Sequence, residues 1–299
     1  MRNGRMKWRL IGALCASLLS SGAPAADAQN SNVRLGQIGI SFYAVTGGVI
    51  QEVLERLGHT VEVSQGSHSQ IFPRLGAGEI DLLVAAWLPH GHAMYWKEYK
   101  MRAEELAVLY RGARFYWMVP TYIPETAVSS VEDLTKADVL ARMQREIPGT
   151  GPDSGLMIQS TKMMSAYGLD AAGYVLEPGP HARWIDHYER ATRDGRWFVM
   201  PLWKPQFINK MGNMRPIDEP KLILGEPNTG TLVASKDWVA RAPQRTVAVL
   251  RRIDLGLDAV AEMDYLVNKE GKTPREAARA WMTDNQEIVD TWLASVPSH

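Results

Sequence analysis

Cysteine is almost missing from this chain. Cys15 is the only one in 299 residues, so no internal disulfide can form. Charge of one sign is missing too: 33 Lys and Arg balance 33 Asp and Glu. No basic field therefore directs the chain to nucleic acid. After residue 30 no apolar run approaches the roughly 18 residues needed to span a bilayer. Neither GxxxxGK[ST] nor a helix-opening GxGxxG occurs, which leaves no nucleotide cradle and no expected cofactor. The serine motif at 151–155 reads G-x-x-S-G, not the G-x-S-x-G of a nucleophile elbow. Asp133 and Asp153 have no paired carboxylate for acid–base work. His90 and His92 form an H-x-H pair, and His181 and His187 stand six apart. Without cysteine these make no recognisable metal set. An enzyme is not expected. In contrast, 45% of the residues are hydrophobic and ten are Trp, enough for real cores in about two domains.

Residues 1–28 read as an export signal. Arg2, Arg5, Lys7 and Arg9 precede the short apolar core Leu10–Leu19, and Ala23-Pro24-Ala25 and Ala26-Asp27-Ala28 offer small-x-small cleavage sites. Cleavage would leave 29 basic and 32 acidic residues, a net charge of −3, and no thiol. Periplasmic location and a monomeric state are the expectation.

Periodicity after that point predicts alternating elements. Val33–Ile40 reads as a strand, and a helix opening at Thr46 or Gly47 carries Val49, Ile50, Val53, Leu54 and Leu57 on one face. Gly58 should end it. Strands at Thr60–Ser64 and Ile80–Ala86 flank a short helix at Ile71–Ala77, a pattern that implies a parallel α/β sheet. A second unit follows: strands at Ala113–Val119 and Trp197–Leu202, with helices from Val131, at Ile158–Tyr167 and at Ala182–Thr192. A strand at Thr231–Ser235 and a helical C-terminal region complete the chain. The expectation is an α/β protein of two lobes, residues 29–116 with 230–299 and residues 117–229, with parallel or mixed sheets flanked by helices and a two-strand hinge.

Two segments repeat one design. AAWLPHGHAMYW at 85–96 and VMPLWKPQF at 199–207 each place a Trp, Trp87 and Trp203, at the end of a strand, with a Pro two residues on. Ligands in open α/β sheets lie beyond the carboxyl ends of strands, so the two indoles could face one cleft, although a Trp there serves equally as core packing. Facing indoles suit a quaternary ammonium, which has no hydrogen to donate and is held by the ring quadrupole. His92 could donate to a carboxylate. GTGPDSGLM at 149–157 runs into a helix whose free N–H groups can meet an anion.

On these segments, and on EAARAWMTDNQEIVDTWL near the C-terminus, the chain resembles the glycine betaine-type substrate-binding proteins of ABC transporters, over nearly all of residues 31–293. The resemblance implies a type II periplasmic binding fold that captures a small betaine-like zwitterion and hands it to a membrane permease driven by an ATPase. By position, Trp87 and Trp203 match two cage tryptophans and His92 the carboxylate-binding His. Gly155 and Leu156 match the residues whose amides meet the carboxylate. The third cage Trp is replaced by Ile40 in one branch's position and by Ser154 in the other's, leaving Phe42 or Tyr43 to supply the wall. Choline, carnitine, a sulfonium compound or an amino acid are the alternative ligands. Tyr95, Trp96 and Trp184 are assigned to packing.

Overall fold

The computed structural model describes Met1 and residues 32–294; the export signal and Cys15 lie outside the described residues. The order of elements begins β1 (Asn32–Ile38), α1 (Ser41–Arg56), β2 (Thr60–Gly66), α2 (His68–Gly76), β3 (Leu82–Leu88), α3 (Ala93–Tyr99) and β4 (Ala103–Pro120). A 3-10 turn (Val131–Thr135) then leads to α4 (Ala137–Leu140), β5 (Glu146–Pro148), α5 (Gly155–Ala166), β6 (Val175–Glu177), α6 (His181–Arg193) and β7 (Met200–Lys204). The remainder is α7 (Ile208–Met211), β8 (Met214–Ile217), β9 (Asn228–Ser235), α8 (Lys236–Arg241), α9 (Gln244–Leu250), α10 (Gly256–Glu270), α11 (Pro274–Asp284) and α12 (Gln286–Leu293). No helix among the described residues is long and apolar enough to cross a membrane.

The main sheet runs β2-β1-β3-β9-β4-β7, with β8 also on β4. β1 pairs parallel with β2 and β3, as the alternation of strands and helices requires, whereas β9 runs antiparallel to both β3 and β4. One strand links the two parts of the molecule. Ala103–Ala113 of β4 pairs with β9, and Arg114–Pro120 of the same strand pairs with β7 and β8. The chain returns through Gly225–Pro227 into β9.

Three sequence expectations change. The first helix begins at Ser41, not at Thr46 or Gly47. Its glycines are packing positions rather than openers: a Cβ on Gly47 would lie 1.9 Å from Gln37 Oε1, and one on Gly48 would lie 3.0 Å from Ala278 of α11. Phe42 and Tyr43 therefore sit in the first helical turn. β4 is far longer than Ala113–Val119, because register shifts at 105/107, 108/110 and 111/113 break the alternation that would have revealed its first half. Trp87 and Trp203 lie within β3 and β7, not in the loops after them. The other expected helices and strands occur with shifted ends.

Candidate functional site

The position of Trp87 follows from a bulge and a glycine. Between Leu83 and Ala86 the pairing with β9 slips, and Ala85 takes a left-handed φ of 58°, a costly conformation for a residue with a Cβ. Such bulges bend a strand and re-aim its side chains. Beyond the bulge Trp87 pairs with Gly230, which on its other side pairs with Tyr110. A Cβ on Gly230 would lie 2.1 Å from the Tyr110 ring, so only glycine fits there. Across that bare backbone the indole N–H of Trp87 donates to Tyr110 Oη at 3.0 Å.

The turn after β3 sets His92. Asn228 Oδ1 accepts from the N–H groups of His90 and Gly91 at 2.8 and 2.9 Å, which holds the loop. His92 Nδ1 accepts from Trp87 N–H at 2.9 Å. An accepting Nδ1 puts the ring proton on Nε2, which faces Tyr43 Oη at 3.5 Å. Burial, with neighbouring His68 second, holds the His92 pKa well below the usual histidine value. His92 is thus a neutral Nε2–H donor. His68, whose ring centroid is 5.0 Å away, is lowered to about 4 by burial despite Asp153.

Trp203 is held differently. It pairs with Phe115 across β4 and β7, so the two rings share a face of the sheet. Trp184 stacks on Trp203 at 5.0 Å and 28°, and His181 lies 5.7 Å away. The indole N–H of Trp203 is buried with no acceptor among the described residues. Phe115 also stacks on Trp87 at 4.9 Å and 24°. Phe42 touches both indoles, at 6.0 Å from Trp87 and 5.6 Å from Trp203. Phe42, Trp87, Phe115 and Trp203 therefore form four aromatic walls.

Two helix starts close the same space. Ser154 caps α5 by accepting from Met157 N–H, and the N–H groups of Gly155 and Leu156 meet no acceptor among the described residues. Ile40, the residue before α1, gives that helix no side-chain cap. A Cβ on Gly155 would fall 2.1 Å from the Gly91 carbonyl, so glycine lets the turn before α5 meet the turn after β3. Around this contact Asp153 accepts from Ser69 N–H and Oγ, both at 2.8 Å, and its carbonyl accepts from Tyr95 Oη at 2.9 Å.

These elements enclose one cavity. All eight residues expected at the site line it: Phe42, Tyr43, Trp87, His92, Ser154, Gly155, Leu156 and Trp203. Ile40, His68, Phe115 and Thr150 complete the lining. Sequence reasoning placed Ile40 and Thr150 in the right segments without assigning them to the site, and missed His68 and Phe115. For His68 a signal existed: Ser67 and Gln70 form a capping box that opens α2 three residues earlier than expected. Nothing in the sequence shows that Phe115 registers with Trp203. Trp184, assigned to packing, is buried and backs Trp203 without lining the cavity. No Asp, Glu, Lys or Arg lines this space, and among the described residues no group of three or more His, Cys, Asp or Glu could hold a metal ion.

Residues 31–284 match the family described as the substrate binding domain of the ABC-type glycine betaine transport system. The glycine betaine/carnitine transport binding protein GbuC of Listeria monocytogenes is 31% identical over 161 residues, 54% of this chain and 53% of that protein. That alignment spans about half of the relative's length. Lactococcal OpuAC, in its closed form with glycine betaine, superposes with a TM-score of 0.78 at 23% identity, over 88% of this chain and 99% of that one. An ABC-transporter choline binding protein in complex with choline gives 0.78 at 19%, over 89% and 92%. The fold is that of a two-lobed type II periplasmic binding protein.

Proposed function

The chain belongs to the family of substrate-binding domains of ABC-type glycine betaine transport systems, and from that premise we propose that it captures a quaternary ammonium zwitterion of the glycine betaine type. The observation that carries this reading is a cavity with four aromatic walls, no charged side chain, and two helix starts. Aromatic faces attract a trimethylammonium group, each by about 0.5–2 kcal/mol. The positive ends of α1 and α5 favour an anion, so a carboxylate meets the N–H groups of Gly155 and Leu156 and the Nε2–H of His92. Tyr43 Oη, beside that imidazole, is a further donor.

The same inventory ranks the alternatives. Choline brings a net positive charge into a space with no carboxylate among its lining residues, which costs desolvation without a paired partner. An amino acid brings three N–H donors to walls that are π faces. A sulfonium zwitterion meets the same complementarity as a betaine. Ser154 lines the cavity as the cap of α5, and Phe42 with Phe115 takes the place of a third cage tryptophan.

The two lobes, 29–116 with 230–299 and 117–229, swing about the paired crossings; the change of partners between Ala113 and Arg114 of β4 supports a boundary close to residue 116. Contacts from both lobes make the closed form the better binder, and a ligand shifts the equilibrium only by that difference. The chain acts outside the cytoplasm, as a monomer released by signal cleavage into the periplasm, and delivers its ligand to a permease with its ATPase. Calorimetry tests the ligand class: glycine betaine should bind at least tenfold more tightly than choline, and glycine should give no heat, a difference worth about 1.4 kcal/mol per tenfold. Equal affinity for choline would contradict the zwitterion assignment.

A further inference from the structure

The segment that lines the cavity at the start of α5 also spans the cleft. Residues 151–156 lead into α5, in the lobe of residues 117–229, and three groups of the other lobe converge on them. Ser69 of α2 donates twice to the Asp153 carboxylate, from its N–H and from its Oγ, each at 2.8 Å. Tyr95 of α3 donates from Oη to the Asp153 carbonyl at 2.9 Å. The Gly91 carbonyl, in the turn after β3, comes so near Gly155 that a Cβ there would stand 2.1 Å from it. Consecutive residues thus do separate things: Asp153 crosses to α2, Ser154 caps α5, and Gly155 and Leu156 line the cavity.

The Asp153 carboxylate meets a helix start rather than a cation. His68 Nδ1, 3.9 Å away, belongs to an imidazole that burial keeps neutral. What the carboxylate meets is the opening turn of α2, where N–H groups without intrahelical acceptors and the positive end of the helix favour an anion. Burial works to raise the pKa of Asp153, but the donors from Ser69 and Ser67, with His68, hold it below the usual carboxylate value. Ser67 Oγ lies 3.0 Å from Ser69 Oγ and extends the same chain of hydroxyls. Ser67 and Gln70 already form a capping box, so α2 does not need Asp153 in order to form. The two bonds from Ser69 are charge-assisted, and they exist only while the lobes are together. Parting the lobes returns the carboxylate to water.

We propose that Asp153 is the latch of the closed form: a carboxylate of one lobe that seats on α2 of the other and sets how long the bound ligand stays. A ligand carboxylate on the N–H groups of Gly155 and Leu156 fixes the start of α5, and the same stretch of backbone then presents Asp153 to Ser69. Opening has to break both. Asp153 itself does not line the aromatic cavity, so it stabilises closure without choosing among ligands. This rests on the cage and lobe readings above.

The test is stopped-flow release of glycine betaine, read by tryptophan fluorescence, in the wild type, Asp153→Ala, Ser69→Ala and the double variant. Asp153→Ala should speed release by about tenfold, as for the loss of a charge-assisted contact, while association changes by less than about twofold. Ser69→Ala keeps the N–H and should speed release by about threefold. The double variant should release no faster than Asp153→Ala alone, because both changes remove one interaction. Tyr95→Phe frees the Asp153 carbonyl from another helix and keeps its ring stacked on Phe72 at 4.7 Å. It should speed release by about threefold and decides the matter if Asp153→Ala does not fold. Glu189→Gln breaks a cross-lobe pair with Lys269 that is exposed at Glu189, and should leave release within about twofold of wild type. Ligand-free melting of Asp153→Ala should be unchanged, since the open form does not make the contact. Unaltered release in folded Asp153→Ala, additive effects of Asp153→Ala and Ser69→Ala, or equal acceleration by Glu189→Gln would overturn the latch and leave the cage standing. A wild type that binds no glycine betaine would overturn both.

Discussion

The two tryptophans of the proposed cage are held by opposite means. Trp87 is tied into the sheet: its indole N–H is satisfied by Tyr110 through the gap that Gly230 leaves, and a bulge at Ala85 sets its direction. Trp203 has no such tie. Its ring is fixed by stacking, with Trp184 behind it and Phe42 and Phe115 beside it, and its N–H has no acceptor among the described residues. The Trp87 side is thus fixed by hydrogen bonding within one half, the Trp203 side by packing. That asymmetry suits a binding protein in which one half presents a rigid wall and the other closes against it.

The comparison can be broken from either side. Trp184→Ala removes the backing of Trp203 and leaves a large void in the second half, where Trp184 is fully buried. It should cost about 3–5 kcal/mol in urea unfolding and weaken betaine binding as well. Unchanged binding would show that stacking does not place Trp203. Gly230→Ala pushes a methyl into the Tyr110 ring and should cost about 1–3 kcal/mol. It should also shift the fluorescence of Trp87 by disturbing its hydrogen bond. A wild-type melting curve would show that the ring has room the structure does not give it.

The smallest expected effect lies at the seam between the halves. Asp264 of α10 is buried and accepts from Phe207 N–H at 2.7 Å, four residues beyond Trp203, and from Asn268 at 3.0 Å. Burial raises its pKa to about 6, opposed by its hydrogen bonds from Ser41, Phe207 and Asn268. The folded value exceeds the unfolded one, so its stabilising share is full below about pH 4 and is lost as pH rises through 6. Asp264→Asn keeps an acceptor and removes the titration. The stability of the variant relative to wild type should rise by about 1 kcal/mol between pH 5 and pH 7.5. A difference independent of pH would place the charge of Asp264 elsewhere in the balance.

How far the sequence could be read divides along the same line. The Trp87 and Trp203 segments, His92 and the Gly155–Leu156 helix start were legible because each sits in a short motif whose chemistry is local. Phe42 and Tyr43 were legible as aromatics near the right strand, but the helix that carries them was begun too late, since Gly47 and Gly48 look like breakers until their close neighbours are known. Phe115 and the Gly230–Tyr110 slot were not legible, for both depend on strand register between positions 88 and 120 apart in the sequence. The bulges in β4 hid that register from any alternation pattern.

The most direct measurement is the quenching of tryptophan fluorescence by glycine betaine in the wild type and in the double variant Trp87→Ala with Trp203→Ala, each checked for a cooperative melt. Saturable quenching in the wild type, and none in a folded double variant with calorimetric affinity reduced at least about a hundredfold, a loss of roughly 2.7 kcal/mol, is the predicted result. A folded double variant that still binds glycine betaine with wild-type affinity would contradict the cage.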